Sequence, residues 1–247
     1  MDKNYYLEYY ELERTNWWFR ARQEIIRSQI VKLFGNRRDL SILNIGVATG
    51  ASSIMLQEFG TVKSIEYDPD CYRFVKENVD IDIEPGSILE LRFKANSYDL
   101  VCSFDVIEHV EDDKLAATEM MRVCKPDGFV FVTVPAFMSL WSHHDEVNHH
   151  CRRYRMNELK SLFISSGLIQ FYSYFKFLLF LPIYLIRILS KIFPVMFKRE
   201  GSGSDFGMFK SKSLDSILHK LFILEKVPLK FGIKFPFGVS ALLIWKK

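Results

Sequence analysis

The stretch Ser41-Ile-Leu-Asn-Ile-Gly-Val-Ala-Thr-Gly50 decides the fold, because it reads as a buried strand running into a glycine turn and then into a helix. Gly46 can take backbone angles closed to other residues. Gly46, Ala48 and Gly50 together keep the turn free of bulk, so a ligand can approach the main chain closely. About twenty positions on, the strand Val62-Lys-Ser-Ile-Glu-Tyr-Asp68 delivers an acid, Glu66, where a ribose hydroxyl pair needs an acceptor. Strand, turn and acid together predict a site for a ribose-bearing cofactor.

Outward from that turn the chain alternates strand and helix. Strands are predicted at Ile42–Ile45, Val62–Glu66, Ile81–Glu84, Tyr98–Phe104, Phe129–Val134 and Val239–Trp245, with helices at Ala51–Phe59, Cys71–Asn78, Asp112–Cys124 and Met156–Ser165. An opening helix carries Trp17, Trp18, Phe19, Ile25, Ile26, Ile30 and Phe34 and stops at Gly35. Such alternation builds a parallel sheet, and ligands collect beyond the carboxyl ends of its strands, where Gly46, Glu66, Ser87, Asp105 and Pro135 fall. The expected fold is α/β: a Rossmann-like, seven-stranded, mostly parallel sheet with flanking helices and a hydrophobic helical insertion near the C-terminus. One domain covers residues 1–247, with a helical cap over 1–40, a cofactor-binding core over 41–176, the insertion over 177–230 and a final strand within 231–247.

A net charge of +3 is too small to indicate nucleic acid. Cys71, Cys102, Cys124 and Cys151 form no close pair, and the opening Met1-Asp-Lys-Asn-Tyr-Tyr has no leader pattern, so reduced thiols and a cytoplasmic location are expected. Phenylalanine is abundant, with 22 copies. From Phe171 to Pro194 the chain runs FYSYFKFLLFLPIYLIRILSKIFP, but its unbroken apolar core is only Phe177–Ile186, and a membrane-spanning helix needs about twenty residues. The segment 171–197 reads either as a peripheral contact with the inner membrane face or as buried helices covering a pocket. Ser202–Gly207 is a polar break, and Leu214–Leu224 an amphipathic stretch.

Four segments in this order resemble the class I S-adenosylmethionine-dependent methyltransferases. Leu43-Asn-Ile-Gly-Val-Ala-Thr-Gly50 looks like their first motif and Glu66 like their ribose acid. Tyr98-Asp-Leu-Val-Cys-Ser-Phe-Asp-Val-Ile-Glu-His-Val110 resembles their fourth-strand signature, and Lys125-Pro-Asp-Gly-Phe-Val-Phe-Val-Thr-Val-Pro135 the segment after it. Trp17-Trp-Phe-Arg-Ala-Arg22, His144-Asp145 and Arg152-Arg-Tyr154 further resemble a bacterial subgroup associated with envelope and glycan synthesis. Asn44 departs from the pattern, since many members carry an acid there. Val47 and Ala48 stand where glycine is common, and Ser87 where an acid often meets adenine. The expected cofactor is S-adenosylmethionine, held by Asn44, Gly46, Val47, Ala48, Gly50, Glu66, Tyr67, Ser87, Ile88, Phe104, Asp105 and His109, with Arg22 closing over it.

Methyl transfer is an in-line displacement that needs alignment of nucleophile, carbon and sulfur, and a base if the acceptor is a hydroxyl. The expected catalytic groups are His109, at the mouth of the fourth strand, and His144 and Asp145 in the cluster His143-His-Asp-Glu-Val-Asn-His-His-Cys-Arg-Arg153. Arg152 or Arg153 would meet an anionic part of the acceptor. Adjacent histidines cannot all point into one tetrahedral site and no paired CxxC accompanies them, so no metal is assigned. The expected acceptor is a small or lipid- or glycan-linked molecule. The alternative from another class is a non-catalytic, membrane-associated binding protein on the same fold. A nicotinamide-dependent dehydrogenase ranks lower, because the turn lacks the full GxGxxG spacing.

Overall fold

Leu40–Ile45 (β1) is the predicted buried strand, solvent-shielded at all positions except the half-buried Ser41, and it lies at the middle of the sheet. The computed structural model describes residues 3–164, 167–192 and 212–247. Two amino-terminal helices, Lys3–Thr15 (α1) and Trp17–Phe34 (α2), precede β1 and are parted at Asn16, whose side chain accepts from the Trp18 main-chain NH. After β1 the chain alternates through Ala51–Leu56 (α3), Gly60–Glu66 (β2), Pro69–Asn78 (α4), Asp82–Pro85 (β3), Tyr98–Phe104 (β4), Asp113–Val123 (α5) and Cys124–Pro135 (β5). Short helices His143–Val147 (α6) and Met156–Ser161 (α7) lead to Leu168–Phe175 (β6). Phe180–Ile192 (α8), Lys212–Ile223 (α9) and Lys226–Lys230 (α10) then precede Ser240–Lys246 (β7).

The seven strands lie in the order β3-β2-β1-β4-β5-β7-β6. β1 pairs in parallel with β2 and with β4, so the strand order reverses there and the carboxyl ends of β1 and β4 flank a crevice. β7 is antiparallel to both neighbours, opposing Phe129–Pro135 on one side and Leu168–Phe175 on the other. One face of the sheet packs through Val101, Val130, Val132 and Leu243 against Ala116, Met120 and Leu159 of α5 and α7. The other packs through Leu100, Phe131 and Leu242 against Ala21, Ile25 and Ile30 of α2, with Phe222 of α9 and Leu229 of α10 joining the same cluster.

Six strand expectations match elements within a few residues, the fifth starting earlier, at Cys124. The sequence reading locates no strand at β6, where the head of the Phe-rich stretch is read either as a membrane contact or as buried helices. Phe171, Tyr174 and Phe175 are instead buried in a strand paired along its length with β7. The hydrophobic helices α8 to α10 do lie between the last two strands. Among the described residues, no helix is long and apolar enough to cross a membrane. The predicted Ser202–Gly207 break, the end of the Met156 helix at Ser165 and the Phe-rich stretch beyond Ile192 fall outside the described residues.

Candidate active site

A cavity of about 330 Å³ opens at the carboxyl ends of β1 and β4, at the volume expected of a small-molecule site. Its floor is Gly46, Val47 and Ala48 from the turn after β1, with Phe104, Asp105, Glu108 and His109 from the end of β4. Helices α1 and α2 roof it with Tyr9, Glu13, Trp18 and Arg22. His144, Asn148, His150 and Arg153 form one side wall, and Lys176 with Leu179, Ile183 and Ile186 another. Ala48, Asp105 and Lys176 all have positive φ, at 48°, 57° and 59°. Strained backbone at three wall positions is characteristic of a functional site.

The roof is fastened to the turn by polar contacts. The Thr49 hydroxyl donates to the buried Glu13 carboxylate, and Arg14 donates to the Thr49 carbonyl at 3.2 Å. Burial raises the Glu13 pKa, with Thr49 and Arg14 opposing. Tyr6 donates to Asp68 at 3.1 Å, tying α1 to the cap of α4. Arg22 reaches across the cavity to Asp105 at 2.9 Å and donates to the Thr133 hydroxyl at 3.1 Å, which donates in turn to Asp105. Surrounding protein acts to raise the Asp105 pKa, but Arg22, Lys176 and Thr133 outweigh it and hold it below the usual carboxylate value.

Of the expected cofactor contacts, Arg22, Gly46, Val47, Ala48, Phe104, Asp105 and His109 are brought together in this cavity. Asn44, Gly50, Glu66, Tyr67, Ser87 and Ile88 are outside its walls, each for a visible reason. The Asn44 amide donates to the Ser52 and Ser53 hydroxyls, both at 2.9 Å, and so clamps β1 to α3. Gly50 caps α3 with φ 86°. Glu66 accepts from the main-chain NH groups of Ala48, Tyr67 and Asp68 and so holds the turn, while burial raises its pKa. Tyr67 is 79% exposed, Ile88 is in the core, and the Ser87 hydroxyl accepts from the Leu89 NH.

The expected catalytic trio divides. His109 and His144 face the cavity. Asp145 does not: it is fully buried, accepts from Arg153 at 2.7 and 3.1 Å and from the Ser142 NH at 2.8 Å, and contacts His150 at 2.8 Å. This corrects its reading as an acceptor-facing group, since every direction of approach is taken by a structural donor. Arg152 is likewise engaged, with Asp113 at 2.7 Å and the Glu111 carbonyl at 2.9 Å. His109 keeps an exposed edge at the cavity, yet burial of the ring and its neighbour His150 lower its pKa to about 4. Such an imidazole is neutral at physiological pH and binds a proton weakly.

Sequence reasoning assigns no site role to Glu13, Glu108 or Lys176. Glu108 lies inside the quoted fourth-strand segment, so a signal exists for it. Glu13 and Lys176 carry none, because helix packing and the end of β6 bring them to the cavity. The Lys176 amine is fully buried, donates to Ser240 at 3.1 Å and sits 3.1 Å from the centre of the Trp18 ring. Burial drives its pKa well below the usual lysine value.

A seven-stranded, mostly parallel sheet, a switch-point cavity and a glycine turn define a Rossmann-like methyltransferase fold with a candidate cofactor site. Residues 43–132 match the family model described as a methyltransferase domain. A Mycolicibacterium smegmatis protein named "Probable S-adenosylmethionine-dependent methyltransferase" is 29% identical over 126 residues, covering 50% of this chain and 48% of that protein. Demethylmenaquinone methyltransferase of Staphylococcus aureus is 27% identical over 133 residues, covering 48% and 55%. The chain thus spans about half the length of these curated relatives. Phosphoethanolamine N-methyltransferase 2 of Haemonchus contortus, solved with S-adenosylmethionine, superimposes with a TM-score of 0.57 at 17% identity, over 90% of this chain and 52% of that one. Residues 43–132 thus match a methyltransferase domain, on a fold shared with solved S-adenosylmethionine-dependent methyltransferases.

Proposed function

We propose that the chain transfers the methyl group of S-adenosylmethionine to a polar atom, a hydroxyl foremost, of a small or lipid- or glycan-linked acceptor. The supporting observation is a single cavity whose floor is the Gly46–Ala48 turn and the Asp105–His109 segment, and whose far walls are Trp18, His144, Lys176 and Ile183. The residues fit the cofactor: Asp105, held below the usual carboxylate value, offers negative charge to an ammonium or a sulfonium, and Arg22 a positive charge to a carboxylate. S-adenosylmethionine supplies an electrophilic methyl carbon on a positively charged sulfur. The chain aligns the acceptor against it and excludes water with the apolar faces of α2 and α8. Lys176, whose pKa burial depresses, and the neutral His109 both line the cavity as candidates to take the acceptor's proton.

Titration calorimetry of the full chain is expected to give saturable binding of S-adenosylmethionine and S-adenosylhomocysteine and none of NAD. Absence of binding by a folded sample would shift the reading to a non-catalytic protein on this fold. Acceptor screening then begins with lipid-linked glycans and quinone precursors, the second because one relative is named for demethylmenaquinone.

An apolar acceptor at a membrane surface is supported by α8. One face of that helix walls the cavity with Ile183 and Ile186, while Leu181, Leu185 and Leu189 point outward at 61%, 49% and 43% exposure. Spacing of four residues places them in one stripe. Replacing all three with lysine is expected to lower partition onto neutral phosphatidylcholine vesicles roughly tenfold, by removing the buried apolar contact. Partition unchanged by the substitutions, or absent in the parent chain, would remove membrane contact from the proposal.

A further inference from the structure

Glu108 is the least satisfied polar group of the cavity. It is 0% exposed, and neither carboxylate oxygen has a hydrogen-bond partner among the described residues. A buried carboxylate in that condition either carries a proton or faces a cation that the polypeptide does not supply. The nearby cations are engaged elsewhere, Arg22 with Asp105 and Arg153 with Asp145. Two imidazoles complete its surroundings: one ligand atom each from Glu108, His109 and His150 lies within 4.8 Å of the others.

His150 is held from behind as metal-binding histidines usually are. His150 meets the buried Asp145 carboxylate through Nδ1 at 2.8 Å, so Nε2 is the nitrogen left for a ligand. The His109 and His150 rings stand edge to face with centroids 4.6 Å apart. The fold makes this meeting, for His109 ends the short helix after β4 whereas His150 follows α6. The main chain also joins the two segments, since the Cys151 NH donates to the Glu108 carbonyl at 2.7 Å.

We propose that Glu108, His109 and His150 form a binding site for a divalent first-row transition cation at the wall of the acceptor cavity. Two imidazoles and one carboxylate suit zinc, cobalt or manganese better than magnesium or calcium, which prefer oxygen ligands. Three protein ligands leave coordination positions open, and all three residues line the cavity, so an acceptor oxygen or a water can complete the shell. Placing an acceptor oxygen there rests on the methyl-transfer reading. The cation site itself does not.

The test uses the full chain, stripped with chelator and titrated with Co²⁺ and separately with Zn²⁺, with Mg²⁺ as comparison. Expected are about one transition ion per chain and a visible Co²⁺ absorption without thiolate character, since the three ligands are nitrogen and oxygen. Glu108→Gln and His150→Ala should each weaken binding roughly tenfold or more, the effect of losing a ligand or its support. His143→Ala, which alters an exposed histidine paired with Glu146, should bind as the parent does. Circular dichroism establishes that each variant is folded. Equal weakening by His143→Ala, unchanged binding in folded Glu108→Gln, or no binding by the folded parent would each overturn the site. S-adenosylmethionine titrated in parallel separates the two readings: a folded chain that binds that cofactor but no transition ion defeats only the cation site, and one that binds the ion but not the cofactor defeats only the methyl-transfer reading.

Discussion

Gly46→Arg is expected to abolish measurable S-adenosylmethionine binding, a loss of roughly a hundredfold or more, equal to about 2.7 kcal/mol. Gly46 has φ 67°, where an L side chain costs about 1–2 kcal/mol. A Cβ built there falls 2.5 Å from Val106 Cγ2 and 3.0 Å from Val106 Cγ1, closer than side-chain carbons pack. Val106 belongs to the segment joining β4 to His109, so the clash pushes apart the two pieces of backbone that form the cavity floor. Overpacking of this kind costs about 1–3 kcal/mol. Gly46→Ala isolates the backbone and contact effects, and should weaken the cofactor by about tenfold while lowering the melting temperature by a few degrees. Gly46→Arg adds a long side chain that occupies the cavity. Calorimetric titration beside a thermal melt checks both variants. Parent-like affinity in a folded Gly46→Arg chain would put the cofactor somewhere other than this turn.

The parts of this architecture legible in the sequence are those with a local period or local turn chemistry. β1 announces itself because a central parallel strand must be apolar on both faces, and its turn because Gly46 and Gly50 mark positive φ. α5 is legible from Asp112, whose side chain accepts from the Leu115 NH as an N-cap does. β6 is hidden for the opposite reason. Leu168–Phe175 is rich in aromatics and runs directly into Phe177–Phe180, so its alternation merges with a longer apolar stretch, and only pairing with β7 decides its conformation. The site follows the same division. Gly46, Asp105 and His109 are read from motif spacing. Glu13 and Lys176 arrive through the packing of α1 over Thr49 and the turn after β6, where the buried Glu225 accepts from the Leu178 NH. Glu66 and Asn44 are conspicuous in sequence yet hold the turn from beneath, because the NH groups and hydroxyls nearest to them are the protein's own.

Asp145→Ala is expected to lower stability by about 3–5 kcal/mol, seen as a fall in melting temperature of about 10 °C, because it leaves the buried Arg153 guanidinium without a counterion. Arg153 is 4% exposed and has two hydrogen bonds to Asp145, and Arg187 of α8 approaches the same carboxylate at 3.8 Å. One carboxylate therefore joins α6, the segment after it and the helix that walls the cavity. Burial alone would raise the Asp145 pKa, but hydrogen bonds from His150 and Arg153 outweigh it and hold the group well below its unfolded value. The sign follows: the contribution is complete above the unfolded carboxylate pKa, near about 4, and is lost as pH falls below that toward the folded value. Parent and variant melting curves should thus converge on acidification below about pH 4 and stay apart at neutrality. Asp145→Ala combined with Arg153→Leu should recover part of the loss, since removing both charges costs less than stranding one. A single Asp145→Ala chain as stable as its parent at pH 7 would show that Arg153 finds another partner, and would return Asp145 to consideration as a cavity-facing group.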